Sequence, residues 1–305
     1  MLEVAKIAYN VILPILIVVG IGGWFGRTYR PDIRSLSRLA MFVLIPGLTF
    51  SSMADTSIDS DEMLLIALFV MGSTTTFAFI GWLISRTQYQ LSPAASSTFV
   101  LTIMAFNAGN FGLPFIEFAF GANGLQRATL VFVSQSIMVS TLGIYVVSSG
   151  SVSPVQGLKN VLSNPVPYAT LLGIIISVTG IDLPQNINRA TTLLGNGSIP
   201  VMLLILGMQL VNTPLRNREL YRAVSLATVT RLVLVPILLY GITSLLHITG
   251  ITQQVLIVQL SMPTAVNTII LAGEYGGDMD LAATIILSTT LSSVLTLSIL
   301  VALLV

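Results

Sequence analysis

Residues 107–115 read Asn-Ala-Gly-Asn-Phe-Gly-Leu-Pro-Phe, NAGNFGLPF, between the apolar runs FVLTIMAF and FIEFAF. Two Asn, two Gly and a Pro interrupt what is otherwise a candidate membrane-spanning helix. The chain around them has 305 residues, of which 54% are hydrophobic and 8% charged, against about 25% charged in an ordinary globular domain. Mean hydropathy is +0.92. Such a chain is an integral membrane protein. In lipid an unpaired N–H or C=O costs several kcal/mol, so irregular backbone is tolerated only inside protein or beside a water-filled cavity.

About 20 mostly apolar residues cross the hydrocarbon core. That ruler predicts ten spans, near 7–26, 35–53, 62–84, 94–120, 126–148, 166–181, 190–211, 220–246, 252–274 and 280–303. The first run, ILPILIVVGIGGWFG, has no small-residue cleavage site after it and reads as a spanning helix rather than a removed signal. Pro14, Pro46, Pro200 and Pro236 read as kinks within spans. Ten spans sort the loops into two sets. One carries Arg27, Arg30, Arg34, Arg38, Arg86, Lys159, Arg216, Arg218 and Arg222, and the other Lys6, Arg127 and Arg189. The positive-inside rule puts the first set in the cytoplasm and both termini outside, in the cell's inner (plasma) membrane. The run Asp55, Asp59, Asp61 and Glu62 then reads as a solvated outer loop.

A shift of about 155 residues aligns the halves: RSLSRLAMFVLIP from Arg34 falls on RATTLLGNGSIP from Arg189, and ATLVFVSQSIMVSTLGI from Ala128 on ATIILSTTLSSVLTLSI from Ala283, matches that carry weight together. Two copies of five spans, 1–148 and 165–305, joined by a cytoplasmic loop over 149–164, force the second copy to insert upside down. At the same offset NAGNFGLPF falls on MPTAVNTII from Met262. Both fourth spans are thus interrupted, and paired interruptions point to a transporter's binding site. Gly109 and Gly112 allow backbone conformations closed to other residues, and Pro114 removes a donor and frees an acceptor. Half-helix ends there offer partial charges to a small polar or anionic solute. The candidate substrate-binding residues are Asn107, Gly109, Asn110, Gly112, Pro114, Gln259, Pro263, Thr264 and Asn267.

NAGNFGLPF resembles the Asn-x-x-x-x-Gly-x-Pro stretch of the auxin efflux carrier family, whose plant members are the PIN-type auxin transporters. The resemblance continues in Arg231 to Pro236 and from Pro263 to GEYG, and it covers nearly the whole chain. Plant members carry a long hydrophilic insert at the central join, so this chain resembles a short prokaryotic-type member. The resemblance implies an all-α membrane fold of two inverted five-helix repeats, like that of bile-acid symporters and sodium-proton antiporters, with helices 4 and 9 broken and crossing at mid-membrane. It also implies a homodimer, a scaffold of helices 1, 2, 6 and 7, and a transport domain of helices 3–5 and 8–10 that moves as an elevator. The crossover Asn and Pro map to Asn107 and Pro114, and in the other half to Pro263 and Asn267. The acid and lysine that support the plant site have no match in STTTFAF of the third span.

Arg231 falls deep in the eighth span, where an unpartnered charge costs at least about 2.5–3.5 kcal/mol. It is expected to face the protein interior, either attracting an anion or bonding carbonyls freed by a broken helix. Glu117 is a candidate proton carrier or a solvated carboxylate near the outer end. Gln135, Gln209 and Gln259 either line a cavity or bond neighbouring helices, and His247 reads as interfacial.

These features favour a secondary transporter of a small organic anion such as a carboxylate, auxin being the plant example. The alternatives are a sodium-coupled organic-anion symporter of the bile-acid type, a channel, or an intramembrane enzyme. Against the enzyme, no base is placed to activate a nucleophile, and no Gly-rich loop followed by Lys argues for ATP drive. No Cys and a single His leave no metal site or cofactor to expect. Thinly spread basic residues leave no nucleic-acid surface. The expected partners are the lipid bilayer, the anion and a second copy.

Overall fold

The computed structural model describes residues 8–88, 91–152, 159–212 and 220–304. Lys6, Arg216, Arg218 and residues 153–158 of the expected joining loop lie outside the described residues. The described chain is all-helical: α1 Tyr9–Tyr29, α2 Ile33–Ala54, α3 Ser60–Arg86, α4 Pro93–Met104, α5 Ala108–Val147, α6 Pro165–Thr179, α7 Gln185–Val211, α8 Tyr221–Leu245, α9 Gly250–Leu260, α10 Asn267–Glu274 and α11 Met279–Leu304. Among the described residues seven helices, α1, α2, α3, α5, α7, α8 and α11, are long and apolar enough to cross a membrane, and α4, α6 and α9 are shorter apolar helices.

Helix starts follow local capping chemistry. Asp32, Asp59, Ser92 and Asn164 each accept a backbone N–H from the first turn of α2, α3, α4 and α6, satisfying a donor that has no intrahelical partner. Pro93 and Pro165 follow two of these caps, where a missing N–H costs nothing. Four further prolines share another device. Pro14, Pro46, Pro114 and Pro236 each stand just past a π-helical turn, at 8–12, 40–44, 108–112 and 230–234. Widening the turn relieves the clash between the ring and the preceding carbonyls. Pro200 lies inside α7 without such a turn.

The expected boundary between the spans near 94–120 and 126–148 falls at Gly121, which at φ 65° and ψ −160° kinks the run Ala108–Val147 into two helices. A lone Gly in a region closed to other residues turns the chain there without a loop. The acidic run is corrected only at Glu62: Asp55, Asp59 and Asp61 are exposed as expected, whereas Glu62 is partly buried and paired. Asp59 caps α3, and Glu62 receives both Nε and Nη2 of Arg127, at 2.7 and 3.0 Å, and a bond from Thr252 at the start of α9. One fork of the kind that suits a carboxylate thereby ties α3, α5 and α9 together.

The helices pack in two groups. α7 lies against α1 and α2, and α6 against α2, while α3 packs on α4 and α5, α9 on α5, and α11 on α8 and α4. The first group is held by backbone-to-backbone approach. A Cβ on Gly22 would strike the Leu204 carbonyl, and one on Gly207 the Val19 carbonyl and the Gly23 nitrogen. Small residues that let backbones touch are the usual adhesive between helices in lipid. Outward faces carry Trp24, Leu64, Leu68, Leu171, Ile237 and Leu295, all well exposed, as lipid contact requires. Gly207→Ala is expected to cost about 1–3 kcal/mol by overpacking and to lower the melting temperature. Gly20→Ala is its control, because a Cβ there meets nothing within 4 Å. Equal melting temperatures for the two variants would contradict the packing account.

Candidate functional site

The site begins with two breaks. α4 ends at Met104 before α5 starts at Ala108, and α9 ends at Leu260 before α10 starts at Asn267. The two connecting segments run antiparallel and pair across Phe106 and Thr264. Asn107 N–H donates to the Pro263 carbonyl at 2.8 Å and Ala265 N–H to the Ala105 carbonyl at 2.9 Å. Each break thus satisfies the other's main chain, as burial demands.

Side chains complete the work. Thr264 donates its hydroxyl to the Thr102 carbonyl at 2.9 Å and its N–H to Thr289 Oγ1 at 3.2 Å. Gln135 Nε2 donates to the Met104 carbonyl at 3.0 Å while its Oε1 accepts from Thr74 at 2.8 Å. Gln259 Nε2 reaches the Ala108 and Ala128 carbonyls at 3.2 and 3.0 Å. Arg231, in the π-turn of α8, is completely buried. Its Nε donates to the Met262 carbonyl at 3.0 Å, its Nη1 to Ile103 at 3.1 Å, and its Nη2 to Leu260. The rings of Phe77 and Phe106 flank the guanidinium at 5.3 and 5.2 Å. Of the two arrangements open to this residue in the sequence, its donors adopt the carbonyl-bonding one.

Beside the crossing lies a cavity of about 140 Å³. Asn107, Gly109 and Asn110 line it from the start of α5, and Ala265, Val266 and Asn267 from the start of α10. Phe132, Gln135, Ser136 and Ser140 face it from later in α5, Met41 and Ile45 from α2, and Asn164 from the cap of α6. The N-terminal, partially positive ends of two helices therefore meet at one cavity. Asn107 is 5% exposed, and its Nδ2 has no hydrogen-bond partner. A buried amide donor without a partner is uncommon enough to mark a place where a ligand or water completes the network.

The structure divides the nine candidates. Asn107, Gly109, Asn110 and Asn267 line the cavity, whereas Gly112, Pro114, Gln259, Pro263 and Thr264 are not among its lining residues. Pro263, Thr264 and Gln259 brace the backbone around it by the bonds above. The break itself is shifted: the irregular residues are 105–107, and 108–114 is already helical. Gly109 and Gly112 consequently do not serve unusual conformations, and neither has positive φ. They serve space. A Cβ on Gly109 would lie 2.9 Å from the Phe132 ring, and one on Gly112 3.0 Å from the Asn107 carbonyl. Sequence reasoning did not single out Ser136, Ser140, Asn164 or Met41. The clustered polar residues in SQSIMVS of an otherwise apolar helix were the available signal. Glu117 stands apart from the crossing, half-buried in a second cavity of about 460 Å³ lined also by Ser51, Ser52, Asp55, Gln126, Thr192 and Asn196.

A family model described as membrane transport protein matches the chain over residues 7–156 and again over 151–301. An uncharacterized transporter of Methanothermobacter thermautotrophicus is 31% identical over 301 residues, covering 94% of this chain and 95% of its own. One of Methanocaldococcus jannaschii is 25% identical over 96% of this chain and 97% of its own. One of Escherichia coli, strain K12, is 22% identical over 87% of each. These names point to a membrane transporter rather than an enzyme. With matches that span both halves, the chain belongs to the membrane transport protein family, that of the auxin efflux carriers.

Proposed function

We propose that this protein is a secondary active carrier of a small organic anion, a carboxylate, working by elevator-type alternating access. The observation that carries the reading is the convergence of two helix N-termini and the unpartnered Asn107 amide on one cavity. Amide donors and positive helix ends suit a carboxylate, and Asn110 and Asn267 add to them.

Counting each broken pair as one pass, α4 with residues 108–120 and α9 with α10, and separating residues 122–147 at Gly121, gives ten spans. The antiparallel meeting of Phe106 with Thr264, at nearly the repeat offset, is what two inverted copies would produce. The two segments matched by the family model meet at 151–156, where the join between repeats is proposed. The scaffold is α1, α2, α6 and α7, dimerised with a second copy, and the remaining helices move past it. Both cavities lie along α2, one at Met41 and Ile45 and the other at Leu48, Ser51 and Ser52. A domain sliding along α2 would exchange the site between them. With the Arg-rich 27–38 stretch in the cytoplasm, the crossing cavity, beside Met41 and Asn164, lies on the inner side.

Two outcomes test this. Purified protein screened against small monocarboxylates should show a raised melting temperature with at least one of them, and Asn107→Ala should weaken that ligand by about 1.5–3 kcal/mol, or about 10- to 100-fold, while remaining folded. An unchanged ligand response would remove Asn107 from the site. A tag at either terminus should react with impermeant reagent on intact cells. Labelling only after lysis would reverse the orientation.

A further inference from the structure

We propose that Arg231 is the resident cation of the crossing, occupying the place at the paired half-helix ends where an alkali-metal ion would otherwise be held, so that no sodium ion binds there. α4 and α9 end side by side, and each C-terminus carries about half a negative charge. Carbonyl oxygens at such broken ends are the ligands with which carriers coordinate sodium. Here the carbonyls of Ile103, Leu260 and Met262 are all taken by one guanidinium. Its single positive charge matches the sum of the two helix ends.

The immediate surroundings supply no other counter-charge. Among the described residues the one ion pair between an Arg and a carboxylate is Arg127 with Glu62. The walls of the Arg231 site are the rings of Phe77 and Phe106, which suit a planar, weakly hydrated guanidinium better than a strongly hydrated ion. With the negative ends bonded in this way, only the positive helix ends at Ala108 and Asn267 remain turned toward the cavity. The consequence for coupling rests on the carrier reading: a sodium gradient would have no binding site at the crossing to act through. The ion-binding claim itself stands or falls on purified protein, whether or not the chain transports.

The test compares melting temperatures of the full chain in detergent. Exchanging sodium chloride for choline chloride at equal ionic strength should leave the wild-type value unchanged. Arg231→Ala should melt lower by more than about 5 °C. Guanidinium at about 10 mM, too dilute to denature, kept present throughout purification, should recover part of that loss, while urea at the same concentration should not. Arg231→Lys should melt above the neutral Arg231→Gln, because it keeps the charge. The proposal is overturned if sodium specifically stabilises the wild type, if guanidinium does no better than urea on Arg231→Ala, or if Lys is no better than Gln. Should none of the variants be purified, the sodium comparison on the wild type decides alone.

Discussion

Peptide groups that leave a helix inside lipid must find partners in the protein, and at this crossing the requirement is met by three carbonyls bonded to Arg231 and two main-chain bonds between the breaks. Without them, the last turns of α4 and α9 would expose unpaired carbonyls in a medium that cannot hydrate them. Much else in the structure follows from satisfying that demand. Thr264, Gln135 and Gln259 are buried polar residues because each has a backbone group of the crossing to serve. Gly109 lacks a side chain because the Phe132 ring presses against it, and Gly112 because the Asn107 carbonyl and Gln259 do.

The same arrangement sorts charge. Negative helix ends turn toward the guanidinium, and positive ends turn toward the cavity, so a polar site exists at the crossing without an ionised side chain among its lining residues. This economy suits the proposed carrier. A site made of amides and helix ends can bind an anion and release it, whereas a direct guanidinium contact would hold it harder. The glycine-mediated approach brings α1 and α7 into backbone contact, and both cavities are lined in part by α2.

Much of the fold was legible because its signals are local. Apolar length and prolines in characteristic places are read from a few neighbouring letters. The crossing was legible as a disturbance, since Gly, Pro and Asn in an apolar run have few other uses. Its location lies a few residues before the Gly and Pro of 109–114, because a proline is well tolerated in the first turn of a helix and the irregular residues are 105–107. The separation into residues that line the cavity and residues that brace it was not legible. Thr264 and Asn107 look alike as polar residues near a proline, and only the folded arrangement distinguishes them: Thr264 donates to the distant Thr102 carbonyl, whereas Asn107 Nδ2 has no partner. The Arg127–Glu62 fork joins residues far apart in sequence and was invisible for the same reason.

Under the proposed function, the broken helices create a water-accessible polar cavity within the membrane-spanning part of the protein. The chain contains no Cys, so a single introduced thiol reports without background. Ser136 lines the cavity from within α5. The measurement is the reaction of Ser136→Cys, in the membrane, with a charged thiol reagent that does not cross lipid. The account predicts modification from one face of the membrane, at a rate that falls when a bound carboxylate fills the cavity. A thiol that stays unreactive from both faces in the folded protein, yet reacts once the protein is denatured, would contradict it.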